Sequence, residues 1–381
     1  MNALRFLVFF CLALIPSNVS AQNNEALQQA ARIRQIVLSQ GKSPATVAHL
    51  VQLTRDLPPA DAAPLYEQIA NDYLAAGKHD QAAEVLHQLV DQYPDQRATQ
   101  AGLLTLARLY TSSEVVQIQA SKPVSTPEEL ATYALHLAGQ ARHKQTKLAD
   151  DPEHTFQSAV AARRSGRLKL AQSFLSLLKH NPRMQPWHRR AQAEQWLIEA
   201  RQDEEAPLTI RRCTPVERRP HLDGQLQEPC WQLETSSAPS KTTQAWFAKD
   251  EEFLYMAVHC KKMPQTQYEV DPRARTYDAD LSTHDHVRIH LDLDRDYATS
   301  FELSVDHRGW TADRCWLTPG WNPRWFVISA QNATHWTLEG AIPWSELGAP
   351  PLAETAWAIA VERKVPGFDV VPVAFGLLLF E

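Results

Sequence analysis

The apolar spacing of this chain changes once, near residue 205, and that change constrains the fold more than any other feature. Upstream, apolar residues recur every three or four positions, the mark of amphipathic helices. Downstream they alternate in short runs bounded by turn signals, the mark of strands. One element cannot carry both periods, so the break separates two folding units. The charged segment RQDEEAP, Arg201 to Pro207, ends in a proline and supplies the linker. The expected architecture is an α + β multidomain chain, with an α-helical repeat region over 22–205 followed by an antiparallel β-sandwich over 206–381. Tryptophan follows the same division: of the 11 in the chain, only Trp187 and Trp196 lie upstream.

Residues 1–21, MNALRFLVFFCLALIPSNVSA, combine Arg5, an apolar run from Leu4 to Ile15 and a small-residue ending at Val19, Ser20 and Ala21. That pattern predicts a secretory signal peptide cleaved after Ala21. The run is too short to span a bilayer, and no later stretch approaches the roughly 18 apolar residues a spanning helix needs. A soluble exported protein, periplasmic or extracellular, is expected. Cys213, Cys230, Cys260 and Cys315 remain after processing. An even number in an oxidising compartment permits two disulfides, and sequence alone leaves their pairing open. The absence of C-x-x-C removes support for zinc or thioredoxin-like chemistry. A net charge of -6 without Lys/Arg-rich runs argues against nucleic acid as the main partner.

In the first half, Leu65 to Asp95 place Tyr66, Ile69, Ala70 and Tyr73 on one helix, Gly77 at a turn, Ala82, Leu86 and Leu89 on a second helix, and Pro94 at the close. This resembles a tetratricopeptide repeat, in which small residues let paired helices approach and glycine suits the corner. A weaker copy runs from Ser158 to Pro182, with Ala159, Gly166, Ala171 and Leu178 in similar places. Between them, Ser125 or Thr126 before Pro127 and two glutamates signals a helix start. An ordinary helical bundle is the alternative. Either arrangement offers surface for a protein partner rather than chemistry.

In the second half, Phe253–Val258, Asp285–Asp294, Ser300–Asp306, Trp325–Ser329, Trp336–Ile342 and Trp357–Glu362 read as strands. Their order and flanking residues resemble the family 9 carbohydrate-binding module and similar β-sandwich domains. The matching residues are Pro220, Asp223, Gly224, Leu226 and Trp231 at the entry, Leu254 and Tyr255, Asp285, Val287, Ile289 and Asp292, then Trp336, Glu339, Ile342, Pro343 and Leu347, and a closing FGLLLFE. The resemblance spans about Pro207 to Glu381. It implies two tryptophans that clamp a terminal sugar, but Ser282 stands at one clamp position and only Phe368 is offered near the other. It also implies a charged pair on adjacent strands, which appears here swapped as Arg288 and Glu302.

Three candidate sites follow. The stretch TADRCWLTPGWNPRWF carries Trp316, Trp321 and Trp325 around two turn signals, and stacking of these rings on a sugar face competes with core packing. Trp321 is the leading candidate, with Arg288, Glu302, Arg308 or Arg363 taking hydroxyls. Alternation puts His286, Arg288, His290, Asp292 and Asp294 on the polar face of their strand, either a solvated sheet face or a binding surface. His286 and His290, about 13 Å apart at the usual rise, cannot chelate one metal together. Third, Asp292, Asp294 and Asp296 alternate as at the start of a calcium loop, although Tyr297 and Leu303 replace its glycine and glutamate. The family resemblance admits a structural calcium there, and electrostatic edge protection is the alternative.

No G-x-S-x-G, H-E-x-x-H or glycine-rich phosphate loop occurs. The expected function is therefore non-catalytic recognition of a glycan or oligosaccharide end, with a protein partner docked through the helical repeats. The alternatives are an interaction scaffold whose sandwich has lost sugar binding and, with least support, hydrolysis of glycosidic bonds by an unassigned carboxylate pair.

Overall fold

The computed structural model describes residues 18–39, 44–119, 125–144, 148, 150–199, 205–231, 242–269, 273, 275–368 and 373–381. Residues 1–17 of the expected signal peptide and 201–204 of the expected linker lie outside them. Among the described residues no helix is long and apolar enough to cross a membrane.

The first half is helical throughout: α1 (Asn18–Ser39), α2 (Pro44–Thr54), α3 (Pro59–Ala75), α4 (His79–Gln92), α5 (Arg97–Thr111), α6 (Ser113–Ile118), α7 (Pro127–Lys144), α8 (Pro152–Arg164), α9 (Leu168–Lys179) and α10 (Trp187–Ile198). Both hairpins read from the sequence form. Tyr66, Ile69, Ala70 and Tyr73 of α3 pack on Ala82, Leu86 and Leu89 of α4, all buried. Gly77 turns the corner at φ +68°, and the Lys78 N–H donates to the Tyr73 carbonyl at 2.8 Å. The α8–α9 corner repeats this device, with Gly166 at φ +75° and the Arg167 N–H donating to Ala162 at 2.8 Å. Only a residue without Cβ takes that backbone region at no steric cost. The start of α7 is a reciprocal capping box: Thr126 Oγ1 accepts from the Glu129 N–H at 3.2 Å, and Glu129 Oε2 accepts from the Thr126 N–H at 2.8 Å.

The second half contains β1 (Ile210–Pro215), β2 (Thr243–Lys249), β3 (Phe253–Lys261), β4 (His286–Asp292), β5 (Phe301–Asp306), β6 (Thr311–Cys315), β7 (Phe326–Gln331), β8 (His335–Pro343), β9 (Ala356–Lys364) and β10 (Gly376–Phe380). They form one sheet in the order β6-β5-β4-β9-β10-β1-β2-β3-β8-β7. Most pairs are antiparallel, as expected, but β1 runs parallel to both of its neighbours, β10 and β2. It joins what would be two sheets into one that curls on itself. Phe247, Met256 and Trp336 from one arm meet Ile289, Leu303 and Ile359 from the other in a single apolar cluster. At the start of β10 the Thr209 carbonyl comes so close that a Cβ on Gly376 would lie 2.4 Å from its oxygen. Glycine is required there.

The four cysteines are free thiols, so the disulfides permitted by their even number are not present in the structure. Cys213, Cys260 and Cys315 lie in the apolar cluster, acting as small apolar groups. Burial pushes the Cys260 thiol up to about 12 and the half-buried Cys230 thiol up to about 11.

Candidate functional site

The aromatic loop after β6 is buried. Trp321 is only 8% exposed and stacks on Phe301, with ring centroids 4.3 Å apart at 23°. Trp325 is buried and its Nε1–H donates to Asp313 Oδ2 at 3.3 Å. Trp316, at φ +49°, packs against the apolar core of the helical half. The loop's Thr318 hydroxyl donates to the Leu74 carbonyl at 2.9 Å and lies 3.1 Å from His79 Nε2. Trp316 and Thr318 thus join the loop to the helical half, while Trp321 and Trp325 pack into the core of the β-rich half, which corrects the expectation that the rings present a sugar platform. The joint wins because α3 and α4 cover a loop whose sequence alone looks exposed.

Arg308 and Arg363 also leave the candidate site. Arg308 is held by Asp306 Oδ2, 2.6 Å from its Nη2, and its guanidinium lies 4.0 Å from the Trp310 ring. Arg363 donates to fully buried Asp285 from Nε at 2.9 Å and Nη2 at 2.5 Å. Asp285 also accepts from the Tyr268 hydroxyl at 2.7 Å and Trp336 Nε1 at 3.0 Å. Both arginines satisfy buried carboxylates.

Arg288 and Glu302 do come together, as the swapped pair implies. Arg288 Nε lies 3.5 Å from Glu302 Oε2, and its Nη1 lies 3.7 Å from Glu362 Oε2. Glu302 is also paired with Arg314 at 2.8 Å, and Lys364 approaches Glu362 at 3.6 Å. Adjacent strands β5, β4 and β9 thus carry an alternating-charge ladder on the face opposite the core, a favourable cross-strand arrangement. The Arg288–Glu302 spacing is that of an ion pair rather than a hydrogen bond. Arg288 Nε, Glu302 Oε2, Glu362 Oε2 and His290 Nε2 are buried and make no hydrogen bond.

Two members of this ladder, Arg288 and Lys364, line a pocket of about 440 Å³. Arg288, His286, Ser304 and Lys364 contribute its strand side, and Ser282 and the Val365–Phe368 loop contribute its rim. Phe368 is 47% exposed. Ser282 and Phe368, the two positions where the family's clamp rings were sought, thus line one cavity. Burial holds the His286 imidazole below its usual range, and the neighbouring Arg288 and Lys364 cations add to this. It is therefore a neutral donor or acceptor at physiological pH. Sequence reading missed Lys364 and Ser304 as lining residues, although the alternation Glu362, Lys364 marked that side of β9.

Asp292, Asp294 and Asp296 lie at the joint and are buried rather than at a solvated edge. One ligand atom from each falls within 4.8 Å of the others. The backbone meets them from both halves: the Ser113 N–H donates to Asp294 Oδ2 at 2.5 Å, and the Tyr297 N–H donates to Asp292 Oδ2 at 2.7 Å, while Glu114 Oε1 accepts from the Leu293 N–H at 2.5 Å. Arg163 of α8 binds the Asp294 carbonyl and Glu194, and Arg295 Nε binds Glu194 at 2.8 Å. Tyr297 sits where a calcium loop places glycine, and its φ of +56° is the conformation glycine supplies. Its ring is anchored on Phe156, 5.6 Å away, and under Arg190 at 5.2 Å. Burial, and then repulsion by Asp294, push the Asp296 carboxyl above the usual carboxylate range.

No protein-family model and no curated protein matches the chain. Among solved structures, a family 9 carbohydrate-binding module from Caldicellulosiruptor kristjanssonii, in complex with glucose, aligns at 15% identity with a TM-score of 0.31. The alignment covers 45% of this chain and 95% of that one. A match at that score places no ligand in this chain.

Proposed function

We propose that the β-rich half is a non-catalytic carbohydrate-binding domain of an exported protein, taking a sugar or glycan end in the pocket between Arg288 and Phe368. The observation that carries this reading is the pairing of one half-exposed aromatic ring with polar groups in the same cavity. A ring stacks on the apolar C–H face of a sugar, and Arg288, Lys364, Ser304 and His286 supply donors and acceptors for its hydroxyls. The cavity volume falls within the ~300–1,000 Å³ typical of small-ligand sites. Isothermal titration of the full chain against a panel of mono- and oligosaccharides tests the reading. Binding that weakens roughly three- to tenfold in Phe368→Ala, and further in Arg288→Ala, is expected. No binding across the panel, or binding indifferent to both substitutions, overturns it.

The helical half supports a second proposal, the docking of a protein partner. A groove of about 810 Å³ runs past Tyr133, Leu135, Leu170 and Phe174, with Tyr133 43% exposed. A partner whose capture survives Phe368→Ala but is lost with Tyr133→Ala and Leu170→Ala would favour the scaffold reading over sugar recognition.

A further inference from the structure

The pocket between Arg288 and Phe368 has a charge balance opposite to that of the chain around it. The protein as a whole carries a net charge of -6. Among the described residues, the ionised side chains lining the cavity are Arg288, Lys364 and Asp280, with His286 neutral beside them at physiological pH. Two cations and one carboxylate leave the lining with one positive charge in excess. The carboxylate is also the least placed to offset it: Asp280 is exposed, its Oδ1 accepts from the Ser282 N–H at 2.9 Å, and water screens its charge.

The ladder beside the pocket does not cancel this excess. Arg314 takes Glu302 at 2.8 Å, and Arg288 meets the same carboxylate only at 3.5 Å. Glu362 is likewise shared, between Lys364 at 3.6 Å and Arg288 at 3.7 Å. Three cations thus divide two carboxylates, and the two cations that line the cavity are the more distant partners. Neither Glu302 nor Glu362 is part of the lining. The register accounts for Glu302, which pairs across from His290, one row beyond Arg288, whereas His286 and Lys364 form the row on the pocket side.

We infer that the sugar taken by this pocket carries a carboxylate, as a uronic acid at a glycan end, with Lys364 and Arg288 receiving the anion. This narrows the ligand of the glycan reading above and rests on it. A uronic acid differs from its hexose only where a carboxylate replaces the hydroxymethyl group at the edge of the ring. With one C–H face stacked on Phe368, that edge is left to meet the strand side, which Lys364 and Arg288 occupy. Hydrogen bonds from ammonium and guanidinium donors to a carboxylate are roughly twice as strong as neutral ones, so the anion is preferred over a hydroxyl at the same place. Ser282, Ser304 and His286 remain for the uncharged positions of the sugar.

The test titrates the full chain calorimetrically with methyl pyranosides of the gluco, galacto and manno series, each as the hexoside, its uronate and the uncharged uronamide. In the series the pocket accepts, the uronate is expected to bind about tenfold more tightly than its uronamide. Raising the salt from about 0.05 to about 0.5 M should weaken the uronate about threefold and leave the uronamide unchanged. Lys364→Gln should lower the ratio of uronate to uronamide affinity to about threefold. Asp280→Asn, which keeps the acceptor to Ser282, should raise that ratio about twofold. A general loss of structure would move both ligands together and leave the ratio as it was. Equal affinity for uronate and uronamide, or a preference indifferent to salt and to both substitutions, overturns the inference while the glycan reading stands. A preference for the hexoside 6-phosphate with none for the uronate overturns it in the same way. Absence of binding in every series overturns both.

Discussion

Replacing Trp321 with alanine separates the two roles its sequence allows. The ring is 8% exposed and stacked on Phe301 at 4.3 Å. A tryptophan buries on the order of 200 Å², which at ~25 cal/mol per Å² is about 5 kcal/mol. The extended-chain reference makes this an upper estimate, and measured Trp→Ala losses of ~3–5 kcal/mol set the expectation. A domain the size of the β-rich half shifts by roughly 2–4 °C per kcal/mol, so the thermal midpoint should fall by about 10 °C. Urea unfolding of the full chain, followed by circular dichroism and fluorescence, measures the loss. Trp321→Phe, which keeps a stacked ring, should recover most of the stability and bind sugar as wild type does. The reasoning fails if Trp321→Ala keeps its unfolding midpoint while losing glycan binding, because a platform ring and not a core ring would then be the role of this side chain.

Removing Asp285 should be costly, since Arg363, Tyr268 and Trp336 all donate to it within the core. Asp285→Ala is expected to lose about 3–5 kcal/mol in urea unfolding, and a loss under about 1 kcal/mol would contradict its role as a hub. The His154 imidazole is pushed down to about 4 by burial first and by the Arg142 cation second. Its folded value lies below the unfolded one, so its contribution to stability is complete above about pH 6.5 and is lost as pH falls toward 4. Histidine-resolved NMR should show it neutral at pH 5.5, whereas titration near 6.5 would refute the burial. Finally, a thiol reagent should find Cys230 reacting ahead of Cys213, Cys260 and Cys315 in the native protein, and all four in denaturant without reductant. Fewer thiols in denaturant would indicate a disulfide.

Much of the fold was legible because burial sets the local spacing. Strands β3, β4, β5, β8 and β9 carried alternation, and the two helical corners carried Gly77 and Gly166 at the expected places. β6, TADRC, escaped notice because an edge strand with mostly polar side chains carries no such pattern. The site was legible in pieces. Arg288 and Glu302 were placed on one face, but Arg363 was chosen from β9 where Lys364 lines the pocket. Because side chains alternate, an error of one residue moves the choice to the opposite face. Trp316 and the aspartates misled for another reason: the helices that cover them lie far upstream, as with Thr318 and Leu74. Contacts across such separations leave no local periodic signature.

The parallel pairing of β1 with β10 imposes an order on folding. β10 fits between β9 and β1. During synthesis, the two arms of the sheet stay unjoined until β10 leaves the ribosome, and closure spans more than 160 positions of chain. Contacts of such long range are slow to form, because loop closure must precede any stabilisation from pairing. The helical half, built from neighbours in sequence, can be complete before then and present the surface on which the β-rich half assembles.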